Sequence, residues 1–261
     1  MDNKLITRNG NNQPVKSQGG KSLDERWTLM NAAMERLGLA NRKHGGALPS
    51  KGRLIVALDL TGSRAESLRQ AQKATAQIFD AIKAVGAVAV KLAYYRGDHE
   101  CRAGAWHKDA DTVTGAMLSL CCKAGYTQIA RMLKLALAEK EKLSGVVFIG
   151  DHCEDDEPEL LHLAATLGKR SIPLFIFHEI VDHDSRALDA RPVFERMAKL
   201  SGGVYAEFKP DSGAVLRELL STVAAFSAAG HEGVKQVAEP VTAAARQLRG
   251  SLLMLPAPKD K

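Results

Sequence analysis

Five oxygen-bearing side chains stand out by type and spacing: Asp59, Thr61 and Ser63, then Thr127, then Asp151. The first three alternate along Asp59-Leu60-Thr61-Gly62-Ser63, directly after the apolar run Leu54-Ile55-Val56-Ala57-Leu58. Thr127 closes Gly125-Tyr126-Thr127, and Asp151 follows a second apolar run, Val146 to Gly150. Two carboxylates and three hydroxyls make a set of hard oxygen donors. Such a set suits one divalent ion, Mg²⁺ or else Mn²⁺ or Ca²⁺, rather than Zn²⁺. Two carboxylates neutralise the ion and leave a position for a water or a ligand oxygen. The competing reading is that Asp59, Ser63 and Asp151 only cap helices and satisfy loop amides.

For these residues to meet, the segments that carry them must lie side by side. A run of branched apolar residues ending in polar ones is how a buried parallel strand delivers groups to a sheet edge. The pattern predicts strands over 54–60, 87–95, 146–150, 172–180 and 204–208, with a short edge strand over 99–106. Between them, helical spacing marks Leu68 to Val85, 109–122, Ile129 to Leu143, Glu157 to Leu167 with Pro158 in its first turn, 192–200, and a last helix from Val215. Alternating strands and helices with short connections predict an α/β fold, with a doubly wound, mostly parallel central sheet and helices on both faces. Ligands of such sheets bind beyond the carboxyl ends of the strands, where strand order reverses. All three polar loops belong to that edge.

The flanks differ from this core. Residues 1–21 read as a disordered basic arm, 22–52 as an amphipathic helix (Trp27, Met30, Met34, Leu37) and linker, and 230–261 as a helical extension and tail interrupted by Pro240. The extension could dock on the domain or on another protein. The net charge of +6 belongs to residues 1–53, which hold ten Lys/Arg and four Asp/Glu, while the rest of the chain balances. This predicts a solubilising arm with, at most, weak nucleic-acid contact. No apolar run reaches the ~18 residues of a membrane span. With no apolar leader and four irregularly spaced cysteines, Cys101, Cys121, Cys122 and Cys153, the expectation is a cytoplasmic protein with reduced thiols.

Asp59-x-Thr61-x-Ser63, a distant Thr127 and a distant Asp151 resemble the metal-ion-dependent adhesion site of von Willebrand factor A domains. The family pattern is D-x-S-x-S, then Thr, then Asp. Leu200-Ser201-Gly202-Gly203-Val204-Tyr205 before the last strand also fits. The resemblance spans residues 53–229 and implies a Rossmann-like fold and a metal-dependent protein-binding module. By it, Ser63, Thr127 and Thr61 would be direct or near-direct ligands, and Asp59 and Asp151 would act mainly through water or hydrogen bonds to the hydroxyls. A partner protein would complete the metal, often with a Glu or Asp. Thr61 departs from the family's first Ser. The run Glu154-Asp155-Asp156 is not part of the pattern; it predicts negative potential beside the site and a basic or mixed partner surface.

Other candidates point elsewhere. Gly19-Gly20-Lys21-Ser22 lacks the first glycine and the preceding strand of a phosphate-binding loop. His152, Cys153, His178 and His183 match no zinc spacing and read as surface or hydrogen-bonded residues. Cys121-Cys122 reads as helix packing, and Tyr94-Tyr95-Arg96 with Trp106 as core rather than groove. The alternative function is a metal-dependent hydrolase, a phosphatase or nuclease, in which Glu154 to Asp156 would help grip metal. Against it, Thr61 stands where a D-x-D phosphatase needs its second acid, and no nucleophile with a base is recognisable.

Overall fold

The computed structural model describes residues 52–62, 88–108, 110–180, 185–209 and 212–255. Ser63, His183, the arm at 1–21, the helix expected around Trp27 and the helix expected from Leu68 to Val85 lie outside the described residues.

Six strands, β1 (Gly52–Asp59), β2 (Val88–Arg96), β3 (Glu100–His107), β4 (Gly145–Gly150), β5 (Leu174–Glu179) and β6 (Tyr205–Phe208), form one sheet in the order β3-β2-β1-β4-β5-β6. All pairs are parallel except β2 with β3, which form an antiparallel hairpin at one edge. The helices are α1 (Ala110–Leu118), α2 (Ile129–Leu137), α3 (Glu157–Lys169), α4 (Ser185–Ser201), α5 (Gly213–Gln236) and α6 (Ala243–Met254).

β1 is buried along its length and divides the core. Leu54, Val56 and Leu58 face α1, α5 and α6 through Val113, Met117, Leu219, Val223 and Leu248. Ile55 and Ala57 face α2, α3 and α4 through Leu133, Leu160, Ala164 and Phe194. The period-two alternation of a strand thus feeds two apolar layers. A sheet covered on both faces explains why the central strands read as unbroken hydrophobic runs. The strand order reverses between β1 and β4, so the expected crevice lies beyond Asp59 and Gly150.

Several boundaries differ from the sequence expectation. The helix expected over 109–122 ends at Leu118, and Cys121 and Cys122 lie in the extended segment that follows, half-buried rather than on a helix. The chain there is drawn into the strand ends: Arg96 Nη1 donates to the Cys121 carbonyl (2.8 Å), and the Lys123 amide to the Leu60 carbonyl (3.0 Å). α2 stops at Leu137, and Leu143 is buried from the connection to β4 instead. α4 starts before the expected Pro192 and carries it internally, its earlier turn pinned by buried Ala190.

The extension also has a place. α6 docks in cis, with Ala245, Leu248 and Leu252 fully buried in the core cluster of β1 and α5. α5 breaks at Ala229 and Gly230, the latter at φ 58°, a backbone region that glycine enters without strain. Among the described residues no helix is long and apolar enough to cross a membrane.

Candidate metal centre

Three loops meet at the carboxyl edge. The first leaves β1 at Asp59, which is fully buried. Its carboxylate turns back on its own chain, where Oδ1 accepts from the Thr61 amide at 2.8 Å. Its Oδ2 accepts from the Tyr95 hydroxyl at 2.9 Å, across the β1–β2 register that places Asp59 opposite Tyr95. Thr61 is buried beside it.

The second loop, 119–128, is sewn to the first and to the β2–β3 turn. Gly97 donates to the Lys123 carbonyl (3.1 Å), and Gln128 Nε2 to the Gly97 carbonyl (2.9 Å). Gly125 runs against Gly97 so closely that a Cβ on it would sit 2.2 Å from the Gly97 carbonyl carbon. Glycine is required there for space between two backbones. This packing delivers Thr127, only 8% exposed, to the start of α2, and leaves Tyr126 at 67% exposure beside it.

The third loop follows β4. Asp151 is 1% exposed, with Oδ2 2.9 Å from His152 Nδ1. Its main chain is held from β5, where buried His178 reaches the Asp151 carbonyl through Nε2 (3.1 Å). A carbonyl only accepts, so Nε2 carries the proton. Burial, chiefly, depresses the His178 pKa. Gly150 keeps the neighbouring space clear: a Cβ there would lie 3.3 Å from that of Asp59.

The acidic run, expected to add negative potential beside the site, also bonds the starts of two helices, with Asp155 half-buried and Glu154 and Asp156 exposed. Asp155 Oδ2 accepts from the Thr127 hydroxyl (2.7 Å) and the Ile129 amide (3.1 Å), and Oδ1 from the Ala130 amide (2.9 Å). Glu154 Oε2 accepts from the Thr127 amide (3.0 Å), while the Glu154 amide donates to Thr127 Oγ1 (2.8 Å). Asp156 caps α3 through the Glu159 amide. Two helix N-termini are satisfied by these three acids, the favourable place for negative charge.

Of the five residues expected at the site, Asp59, Thr61, Thr127 and Asp151 lie on the three converging loops, and Ser63 is outside the described residues. Tyr95 marks how tightly they gather. Its hydroxyl is pushed well above the usual tyrosine range, first by burial and then by Asp59, Asp155 and Asp151. In sequence Tyr95 reads as core, and Glu154 and Asp155 have a share in the site only under the hydrolase alternative; the signal for Tyr95 is its place at the end of a strand beside that of Asp59. Among the described residues the soft-donor alternative does not form, and His183 lies outside them. His178 is bonded to Tyr205 and to the Asp151 carbonyl, and burial followed by Asp155 pushes the Cys153 thiol up to about 12. Among the described residues no group of three or more His, Cys, Asp or Glu side chains is arranged to hold a metal ion, so a cation here would depend on the hydroxyls. The donors present fit a hard divalent ion. They are all oxygen, the donor type that such an ion prefers.

No family model matches the sequence, and none of the curated proteins matches it. Solved structures do share its fold. BatB from Bacteroides thetaiotaomicron superposes with a TM-score of 0.51 at 16% identity, covering 66% of this chain and 98% of that one. The open conformation of the pilus adhesin SpaC from Lactobacillus rhamnosus GG gives 0.55 at 12% identity, over 71% of this chain and 31% of that one. The vWF domain of the type V pili tip protein Mfa5 from Porphyromonas gingivalis gives 0.50 at 10% identity, over 68% and 95%.

Proposed function

We propose that this chain, whose fold is that of a von Willebrand factor A domain, is a divalent-metal-dependent protein-binding module. The observation that carries the proposal is the meeting of buried Asp59 and Asp151 with Thr61 and Thr127 at the point where strand order reverses. Both Asp59 oxygens are engaged by Thr61 and Tyr95, which suits a carboxylate that neutralises a metal at one remove. Thr127, Thr61 and Ser63 would supply oxygens to Mg²⁺, and a carboxylate of the partner protein would take the open position. Two of the structural neighbours, a pilus adhesin and a pili tip protein, agree with a binding role for this fold.

In the acidic run Asp155 is half-buried, while Glu154 and Asp156 stay exposed and still favour a basic or mixed partner surface. Asp155 is directed into the chain, and Glu154 and Asp156 each bond a backbone amide. Exposed Tyr126, next to Thr127, offers the rim an aromatic anchor of the kind that dominates binding energy at interfaces. The hydrolase alternative loses the extra acids it needed for gripping metal, since Glu154 to Asp156 serve the helix ends.

The test pairs metal uptake with capture. Titration of the full chain with Mg²⁺ and Mn²⁺ should show binding to wild type and none to Asp59→Ala. A pull-down should then lose the same bands on adding chelator and on making that substitution. Capture that persists unchanged in chelator would sink the proposal.

A further inference from the structure

Thr127 sits immediately before the N-cap position of α2, yet neither it nor the N-cap residue caps that helix. The N-cap residue, Gln128, makes no side-chain cap bond, its amide group being turned to the Gly97 carbonyl. The Ile129 and Ala130 amides are taken by Asp155, a residue 26 and 25 positions further along the chain. The same carboxylate accepts the Thr127 hydroxyl proton at 2.7 Å, and the Glu154 amide donates to Oγ1 at 2.8 Å. A hydroxyl has one proton and two lone pairs. The proton is committed to Asp155 and one lone pair to the Glu154 amide.

We propose that Asp155 is a positioning residue, which fixes the Thr127 hydroxyl proton and so reserves the remaining Oγ1 lone pair for a divalent cation. The inference rests on the metal reading above. A hydroxyl free to rotate could turn its proton toward the cation, which repels it. A carboxylate acceptor removes that orientation and, through a charge-assisted bond, makes the oxygen a better donor. The arrangement parallels the partners that orient metal-binding groups in other proteins, whose loss typically weakens metal affinity by about 10- to 100-fold. It also gives the departure from the family pattern after Asp151 a job: the Glu154-Asp155 pair clamps the threonine from the opposite loop.

Asp155→Asn tests this with little change of shape. With its amide nitrogen toward Thr127, the asparagine donates where the carboxylate accepted and occupies the lone pair meant for the cation; with its oxygen there, it leaves the hydroxyl only a neutral, weaker acceptor. Mn²⁺ affinity of the full chain, followed by electron paramagnetic resonance up to millimolar metal, should fall about 10-fold. In a Thr127→Val background the same substitution should cost less than about twofold, because the hydroxyl through which Asp155 acts is gone. Hydrogen exchange of the Ile129 and Ala130 amides reports the capping role separately in all four chains. An equal loss of affinity in both backgrounds would mean that Asp155 only stabilises the helix, an unchanged affinity that the hydroxyl needs no positioning, and a tighter one that Asp155 competes with the metal; each result overturns the inference alone. Wild type that takes up no Mn²⁺ overturns the metal reading itself.

Discussion

The same device appears at two ends of this molecule. At the carboxyl edge, Asp155 accepts a threonine hydroxyl and two amides at the start of α2. At the C-terminal extension, Glu218 on α5 accepts the Thr242 hydroxyl (2.6 Å), the Thr242 amide (2.9 Å) and the Val241 amide (3.0 Å) at the start of α6. The difference lies in what each threonine oxygen then does. Thr242 is the N-cap of its own helix and accepts from the Ala245 amide. Thr127 caps nothing, because Asp155 has taken over that task. One latch is closed on itself and fastens a helix to the core. The other holds a hydroxyl ready and delivers it to a polar edge. A carboxylate bonded to a threonine is therefore no sign of function by itself; each hydroxyl keeps one lone pair, and what separates the two is place, Thr127 at the polar carboxyl edge with Asp59 and Asp151, Thr242 at the entry of a docked helix.

Substitutions can pull the two latches apart. The largest effect is expected from Gly125→Ala, since its Cβ would lie 2.2 Å from the Gly97 carbonyl carbon and no flexible side chain can yield. Urea denaturation should show a loss of about 3 kcal/mol, with Mn²⁺ binding lost as the Thr127 loop moves. Glu218→Ala should cost about 2 kcal/mol by leaving the α6 entry without its acceptor, and hydrogen exchange should accelerate across 243–254. Mn²⁺ affinity should not change; a drop there would mean the latches are coupled. Tyr95→Phe removes the hydroxyl bonded to Asp59 and should cost about 1 kcal/mol. Its affinity for Mn²⁺ should nevertheless fall about 10-fold, which titration of the variant checks. Thr242→Val should lower stability by about 1 kcal/mol through the lost cap and leave metal binding intact.

The smallest effect is one of pH. Burial tends to raise the Glu218 pKa, but the Thr242 hydroxyl, the Thr242 and Val241 amides and Arg217 together hold it below its ordinary 4.5. A carboxyl with a lowered folded pKa adds stability above its unfolded value and loses it as the proton arrives. Urea midpoints should thus fall as pH drops below about 4.5, and Glu218→Gln should flatten that part of the profile.

Much of the fold was legible because it rests on local pattern. The runs at Leu54 to Leu58 and Val146 to Gly150 are strands because two-sided burial demands continuous apolar residues, and Pro158 stands in the first turn of α3, where its missing amide costs nothing. Asp59 and Thr61 were legible for a related reason: their contact is two residues long, a carboxylate folded back on the next amide but one. The end of α1 at Leu118 was not legible, because the bonds that draw Cys121 and Lys123 away come from Arg96 and Leu60, far off in sequence.

By itself, then, the sequence determined the parallel α/β core and the candidate donors, because strand burial and strand-end chemistry are written in neighbouring residues. Tertiary structure decided which partners hold those donors. Tyr95 reaches Asp59 only because β2 pairs with β1 in that register, and the acids after Asp151 become helix caps only because the third loop crosses to the start of α2. It also decided that α6 belongs to this core, since only packing brings Leu248 and Leu252 into the layer that β1 and α5 begin. Hydrogen bonds spanning 25 to 36 residues leave no trace in local spacing, and here they set Tyr95, Glu154 and Asp155 into the frame of the site.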